Sequence, residues 1–229
     1  MRRGAIVLFK NGYCYQSYGW NILRPLGKLQ NVIDHLEEYQ VDEISIIRPI
    51  KGNDDDKSFY SDMLELSKIK SSTPLNFGGG LYNKKRVDQA RSMSFERLIF
   101  SSILFSRNSK VLTYASNIIG KQAIVGCVPF KFNKNDLTIF NSSKNKFLSL
   151  EKLNINLLDL CDELLIFDCR NEGNNNTFDN KILNHSLINK KKIIISGGVN
   201  SEIKNSNFKN LASILIENRI LHKEYSIKK

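Results

Sequence analysis

Two glycine-rich turns, Phe77-Gly78-Gly79-Gly80-Leu81 and Ser196-Gly197-Gly198-Val199, are the segments of this chain whose chemistry is easiest to read. Each follows a short apolar run and leads into a helical pattern. Glycine at such a place lets backbone N–H groups turn into a concavity and meet a phosphate at a helix N-terminus. The same glycines also serve a plain βα turn that needs positive φ, and one such turn alone would favour that use. The pairing favours phosphate, with Ser101 and Ser102 after a further apolar run supplying more donors. Two turns on opposite sides of one opening suit a substrate carrying a phosphate at each end. Gly79, Gly80, Ser101, Ser102, Gly197 and Gly198 are the expected contacts.

Other groups able to do chemistry are few. Lys10, Arg48 and Asp168 fall at the ends of apolar runs and are the candidate substrate or catalytic contacts. Cys14, Cys127 and Cys169 fall on or near such runs, where a thiol behaves as a small buried hydrophobe. Cys169 lies beside Arg170, a cation that would depress its pKa. His35, His185 and His222 sit on predicted helices or in the tail, away from the strand ends. No CxxC is present, so neither a zinc site nor a disulfide framework is expected, and the reducing cytoplasm is the expected compartment. No metal and no redox cofactor is implied.

The elements that must position these groups alternate along the chain. Strands are predicted at Gly4–Phe9, Glu43–Pro49, Pro74–Phe77, Arg97–Phe100, Gln122–Val128, Glu163–Phe167, Lys192–Ser196 and Ala212–Ile216. Most are continuous apolar runs, as in strands buried on both faces. Helical patterns lie between them at Leu26–Tyr39, Phe59–Lys70, Lys84–Met93, Lys110–Ile119, Leu150–Cys161 and Asp179–Asn189. Phe130–Phe140 reads as an inserted hairpin and Asn53–Asp56 as a solvated turn. Eight strands with helices between them in 229 residues predict an α/β fold, a (β/α)8 TIM barrel. The glycine turn after the third strand recurs after the seventh, four βα units on, as in a barrel built from two related halves. One domain over residues 1–229 is expected.

Composition narrows the class. Hydrophobic residues are 41% and charged residues 25%, which fits a globular chain. No apolar run reaches the roughly 18 residues of a membrane span. The opening MRRGAIVLFKNG has too short an apolar run for a signal peptide. The net charge is +11, from 34 basic and 23 acidic residues. The basic residues are dispersed, with short runs only at Lys84–Arg86 and Lys190–Lys192, and no nucleic-acid motif appears. Phosphate-bearing metabolites are therefore the better use of the charge than nucleic acid.

Together FGGGL, ISGGV, VDEISII at Val41–Ile47 and VLFKNG at Val7–Gly12 resemble the HisA/HisF barrels, and more closely the cyclase subunit of imidazole glycerol phosphate synthase. Such subunits use ammonia from a HisH-like glutaminase docked on the barrel bottom, acting at the top on a bis-phosphorylated substrate. The resemblance adds Gly173 to the expected phosphate contacts. It also implies a gate for ammonia at the barrel bottom, matched here by Arg2, Glu43, Arg97 and Glu163. In any barrel, however, charged strand starts also serve as ordinary ion pairs.

The chemistry departs from the family. Its cyclases use one aspartate at the end of the first strand and one at the end of the fifth as acid and base. Leu8 and Pro129 stand at those places here, and neither can carry a proton. Arg48 replaces an acid, Gln16 a lysine, and Glu217 brings a negative charge to the eighth-strand loop. A diverged branch of HisF-like proteins, with an apolar residue at the first position, helps to form acetamidino groups on bacterial surface-polysaccharide sugars. Three functions follow as expectations: a HisF-like ammonia-channelling subunit of that branch, a histidine-pathway cyclase, or an inactive phosphate-binding or scaffold barrel. Trp20 and the tyrosines of Tyr13–Tyr18 are expected in a first loop acting as a lid over a sugar ring or packing on the rim.

Overall fold

The computed structural model describes residues 1–134, 136–174, 177–186, 188, 191–200 and 210–217. The chain enters on β1 (Arg2–Lys10) and turns directly into a hairpin, β2 (Tyr13–Tyr18) and β3 (Ile22–Lys28). Then come α1 (Leu29–Glu38), β4 (Ile44–Ile47), α2 (Asp56–Leu66), β5 (Leu75–Gly78), α3 (Lys84–Arg91), β6 (Phe95–Phe100) and α4 (Lys110–Ile119). The second half runs β7 (Ile124–Asn133), β8 (Asp136–Asn141), β9 (Lys146–Ser149), α5 (Ile155–Leu158), β10 (Glu163–Asp168), β11 (Lys192–Ser196) and β12 (Leu211–Ile216). Strands β1, β4, β5, β6, β7, β10, β11 and β12 pair in parallel in that order, and β12 pairs with β1. The circuit is closed, so the fold is the (β/α)8 barrel that the alternating pattern predicts.

Two cores follow from the period-2 alternation of the strands. Outward residues such as Ala5, Val7, Phe9, Ile44, Ile46 and Phe77 pack under the helices. Inward residues, among them Ile6, Ile99, Val125, Leu165, Ile194 and Leu215, fill the barrel itself. Helix α1 buries Leu29, Val32, Ile33 and Leu36, the i, i+3, i+4, i+7 stripe of an amphipathic helix. Helices α2, α3 and α5 start at side-chain caps: Asp55 Oδ1 accepts from the Ser58 N–H at 2.7 Å, Asn83 Oδ1 from the Arg86 N–H at 2.9 Å, and Asn154 Oδ1 from the Asn156 N–H at 3.2 Å.

Some expected elements change form. Residues expected to begin the first helix, Leu26–Lys28, belong to β3, because the supposed loop is a paired hairpin with Tyr13 opposite Lys28. The expected helix over Leu150–Cys161 is a 3-10 turn at Leu150–Lys152 and a single helical turn at Ile155–Leu158. Within Asp179–Asn189 the described backbone is a 3-10 segment at Asn180–Asn184, and residues 187 and 189 lie outside the described residues. Strand β7 continues through Pro129 into the inserted hairpin, which gains a third strand, β9. Short helices in the second half reflect sequences rich in Asn and Asp, which compete with helix by bonding their own backbone.

The glycine turns show why glycine is required. Gly79 and Gly197 have φ of 103° and 91°. A Cβ on Gly79 would lie 2.3 Å from the Arg48 carbonyl oxygen, and one on Gly197 2.3 Å from that of Asp168. The same close approach thus recurs four strands apart, which matches the repeat seen in the sequence. It is also a sufficient reason for both glycines without a ligand. Phe77, just before the first of these turns, is fully buried and stacks on Phe95 at 5.0 Å. Phe77→Ala should cost about 3–5 kcal/mol in urea unfolding, the range for emptying a closed aromatic site.

Candidate functional site

At the bottom of the barrel, four charged side chains meet. Arg2 donates to Glu43 Oε1 at 2.9 Å and to Glu163 Oε2 at 2.7 Å. Arg97 donates to Glu43 Oε2 at 2.9 Å and stands 3.7 Å from Glu163 Oε2. The result is a closed ring of alternating charge. Glu43 is its hub, taking further hydrogen bonds from Asn76 at 3.0 Å and from the Ser213 hydroxyl. Gly4 makes room for it, since a Cβ there would meet Glu43 Cγ at 2.6 Å. Burial alone would raise the Glu43 pKa, but Arg2 and the hydrogen bonds outweigh it and hold the carboxyl below the usual glutamate range. For Arg2, burial opposes the charge, and the two glutamates more than restore it. Above the ring, the inward residues are mostly apolar, with the buried hydroxyls of Ser45 and Ser196 among them.

At the top, the expected substrate contacts are drawn into the protein's own network. Arg48 is almost fully buried and donates to Asp62 at 2.8 Å and to both oxygens of Asp54 at 3.0 and 3.1 Å. Arg86 is fully buried, clamps the other side of Asp54, and donates to Asp56 at 2.9 Å. Its guanidinium lies between the rings of Phe59 and Tyr82, at 4.4 and 4.2 Å. The segment Asn53–Asp56, expected as a solvated turn, thus supplies the central carboxylate of a buried ion network. Arg86, which ends the short basic run Lys84–Arg86, is inside because α3 turns its Arg86, Val87 and Ala90 face to the core.

Asp168 is also occupied. One oxygen accepts from the backbone N–H groups of Arg170 and Asn171 at 3.0 and 3.1 Å. The other accepts from the Asn171 side chain at 2.8 Å and the Asp179 N–H at 3.0 Å. It shapes the loop after β10, and burial still leaves its pKa raised. Gly173, in the same loop, donates its N–H to Glu217 at 2.6 Å. Lys10, by contrast, reaches solvent at the mouth and is in no ion pair among the described residues.

The mouth itself carries an aromatic plug. Trp20, at the tip of the β2–β3 hairpin with φ of 65°, packs on Phe167 at 5.1 Å and on Phe140 at 5.5 Å. Phe140 in turn meets Phe147 at 5.2 Å. The buried carboxylate of Glu172 holds the hairpin, accepting from the Trp20 N–H and the Ser17 hydroxyl, both at 2.7 Å. Burial raises the pKa of Glu172 despite these bonds. From the other side, Lys51 donates to the Trp20 carbonyl. The hairpin expected as a lid is thus a docked one. Behind Trp20 a cavity of about 60 Å³ includes Gly79, Ser101 and Pro129 in its wall. Beside it opens a larger pocket of about 400 Å³, walled by Leu8, Lys10, Trp20, Leu23 and Lys51 among others.

The remaining candidates take structural places. The thiols of Cys14, Cys127 and Cys161 are pushed up to about 12 by burial. Cys169 is raised well above its ordinary value by burial and by Glu172, so Arg170 does not activate it. Leu8 and Pro129 stand at the mouth in place of proton-carrying groups. His35 lies on α1, His185 follows the 3-10 segment, and His222 lies outside the described residues. No group of three or more metal-binding side chains occurs among the described residues. No helix among them is long and apolar enough to cross a membrane.

The family model described as histidine biosynthesis protein matches residues 15–225. The chain belongs to that family. Its members are the HisA/HisF barrels, and the match spans all of the parallel strands after β1, in agreement with the closed barrel. No curated protein matches the sequence significantly. Asp54, Asp62, Arg86 and Glu172 were not singled out in the sequence. The available signal was the acid run before α2 and the placing of Arg86 beside apolar Val87 and Ala90.

Asp54→Asn would leave Arg48 and Arg86 short of a shared counter-charge, at a cost of about 3–5 kcal/mol in urea unfolding. The lowered pKa of Glu43 sets a pH dependence. Its contribution is present above the ordinary glutamate pKa and is lost as the pH falls below about 4. Unfolding measured across acid pH should therefore show a shallower decline for Glu43→Gln than for the unaltered chain.

Proposed function

We propose that this HisA/HisF barrel is a HisF-like subunit that receives ammonia from a HisH-like glutaminase, in the amidation of a bacterial surface-polysaccharide sugar. The observation that carries this reading is the closed ring of Arg2, Glu43, Arg97 and Glu163 at the barrel bottom. Here Glu43 gathers two arginines, an amide and a hydroxyl at the axis, where anything entering from below must pass. Above it the lining is mostly apolar, which disfavours ions and suits a neutral molecule such as ammonia better than ammonium.

The histidine-pathway cyclase fits less well. That reaction needs an acid–base pair, and Leu8 and Pro129 supply none. The scaffold reading accounts for the packed mouth and takes the ring as ordinary ion pairs at strand starts. The partners implied are a glutaminase on the bottom face and an anionic sugar at the top, with the barrel working in the cytoplasm.

Affinity purification from the native host at low salt, followed by mass spectrometry, should recover a glutaminase subunit at near-equal stoichiometry. In that complex, Glu43→Ala or Arg97→Ala should lower glutamine-dependent product formation by about tenfold while ammonia-dependent formation is largely kept. Equal loss of both activities, or no glutaminase where one is present in the lysate, would overturn the reading.

A further inference from the structure

The family's expected ligand is held at both ends, by the glycine turns on opposite sides of the axis. In this barrel two of the expected phosphate contacts, Gly80 and Gly173, already lie against carboxylates. At the first, the Asp54 carboxylate is clamped between Arg48 and Arg86, and a Cβ on Gly80 would stand 2.6 Å from its Oδ2. On the other side, Gly173 in the loop after β10 already gives its N–H to the Glu217 carboxylate. Between them, the axis is closed by Trp20 against Phe140 and Phe167. A ligand with two phosphates would have to displace two buried carboxylates and a docked indole.

The accessible space lies to one side. The 400 Å³ pocket opens between the β2–β3 hairpin and the segment joining β4 to α2, a size suited to one small ligand. Its charged wall groups are Lys10, Lys51, Asp54 and Asp55. Asp54 is committed to two arginines, and Asp55 caps α2. Neither lysine forms a salt bridge among the described residues; Lys51 donates to the neutral Trp20 carbonyl and acts on the Glu172 carboxylate only at longer range. With Asp54 neutralised by arginine, two lysines face one charged carboxylate, Asp55, so the wall keeps an excess of positive charge. Leu8, Leu23 and Trp20 give it an apolar side suited to the carbon face of a ring, and Asn21, Asn53 and Ser17 face it with hydroxyl-binding groups.

We propose that this flank pocket, and not the barrel axis, is the ligand site, and that it takes a sugar-sized polyol with a single phosphate or carboxylate held by Lys10 and Lys51. The inference rests on the reading of the barrel as a sugar-modifying subunit and narrows it to a singly anionic substrate. Asp54 and Glu217 are, on this account, what excludes the doubly phosphorylated ligand.

Trp20 is the only tryptophan in the chain and forms part of the pocket wall, so its fluorescence reports occupancy. The full chain would be titrated with glucose 6-phosphate, glucuronate, glucose and fructose 1,6-bisphosphate, with calorimetry as a second readout. Saturable binding of glucose 6-phosphate or glucuronate is expected, with the preferred probe telling phosphate from carboxylate. Lys10→Gln and Lys51→Gln should each raise its Kd by about tenfold. Lys10 is exposed, so its variant should fold normally. No saturable response to either anion, an equal response to glucose, tighter binding of the bisphosphate, or undiminished affinity in both variants would overturn the proposal. The titration needs no glutaminase, so its failure leaves the ring's role to be judged separately, and the reverse holds.

Discussion

Everything at the two ends of this molecule depends on one pairing, that of β7 with β10. It runs over six residue pairs, from Glu163 opposite Val125 to Asp168 opposite Phe130, and turns an open sheet into a closed barrel. Closure removes the sheet edges and forces alternate residues of eight strands into one narrow column. Such a column must be filled, and its ends must either meet water or pair their polar groups. This chain fills the middle with aliphatic side chains, pairs charges at the bottom, and places aromatic rings at the top.

The two ends solve the same electrostatic problem by similar means. At each, a carboxylate with little access to water is shared by two arginines: Glu43 by Arg2 and Arg97, Asp54 by Arg48 and Arg86. Shared pairing offsets a desolvation cost that a single partner repays poorly. The difference is in access. Arg2 and Arg97 keep 30% and 21% of their side chains exposed, whereas Arg48 and Arg86 keep almost none. A ring with partly wet arginines can rearrange as something passes. The upper network, sealed under Phe59 and Tyr82, is built to stay as it is.

The barrel was legible because its strands are runs of Ile, Val, Leu and Phe at regular intervals, and the four ring residues could be named because the family resemblance implies a gate at those strand starts. Lys192–Ser196 was read to the residue. The hairpin after β1 was harder, since Tyr13–Lys28 mixes Tyr, Gln, Ser, Gly, Arg and Pro without clean alternation, and its order comes from β1 and from Glu172. Arg48 and Asp168 were correctly placed at strand ends, but their partners are distant in sequence or made of backbone. No spacing rule shows that Asp54 will fold back between two arginines, or that Glu217 will reach the Gly173 N–H. Such commitments are set by tertiary packing, and they decide which polar groups remain for a ligand.

Trp20 has a mechanical consequence. Its N–H is tied to the loop after β10 through Glu172, and its carbonyl to the loop after β4 through Lys51. Those loops stand on different sides of the rim. One residue of the hairpin is therefore a cross-brace, and the rim cannot widen on one side without pulling on the other. Breathing of the mouth should be a concerted motion of three segments. The Trp20 amide should then exchange its hydrogen at a rate set by the opening of the whole rim, not by fraying of its own turn.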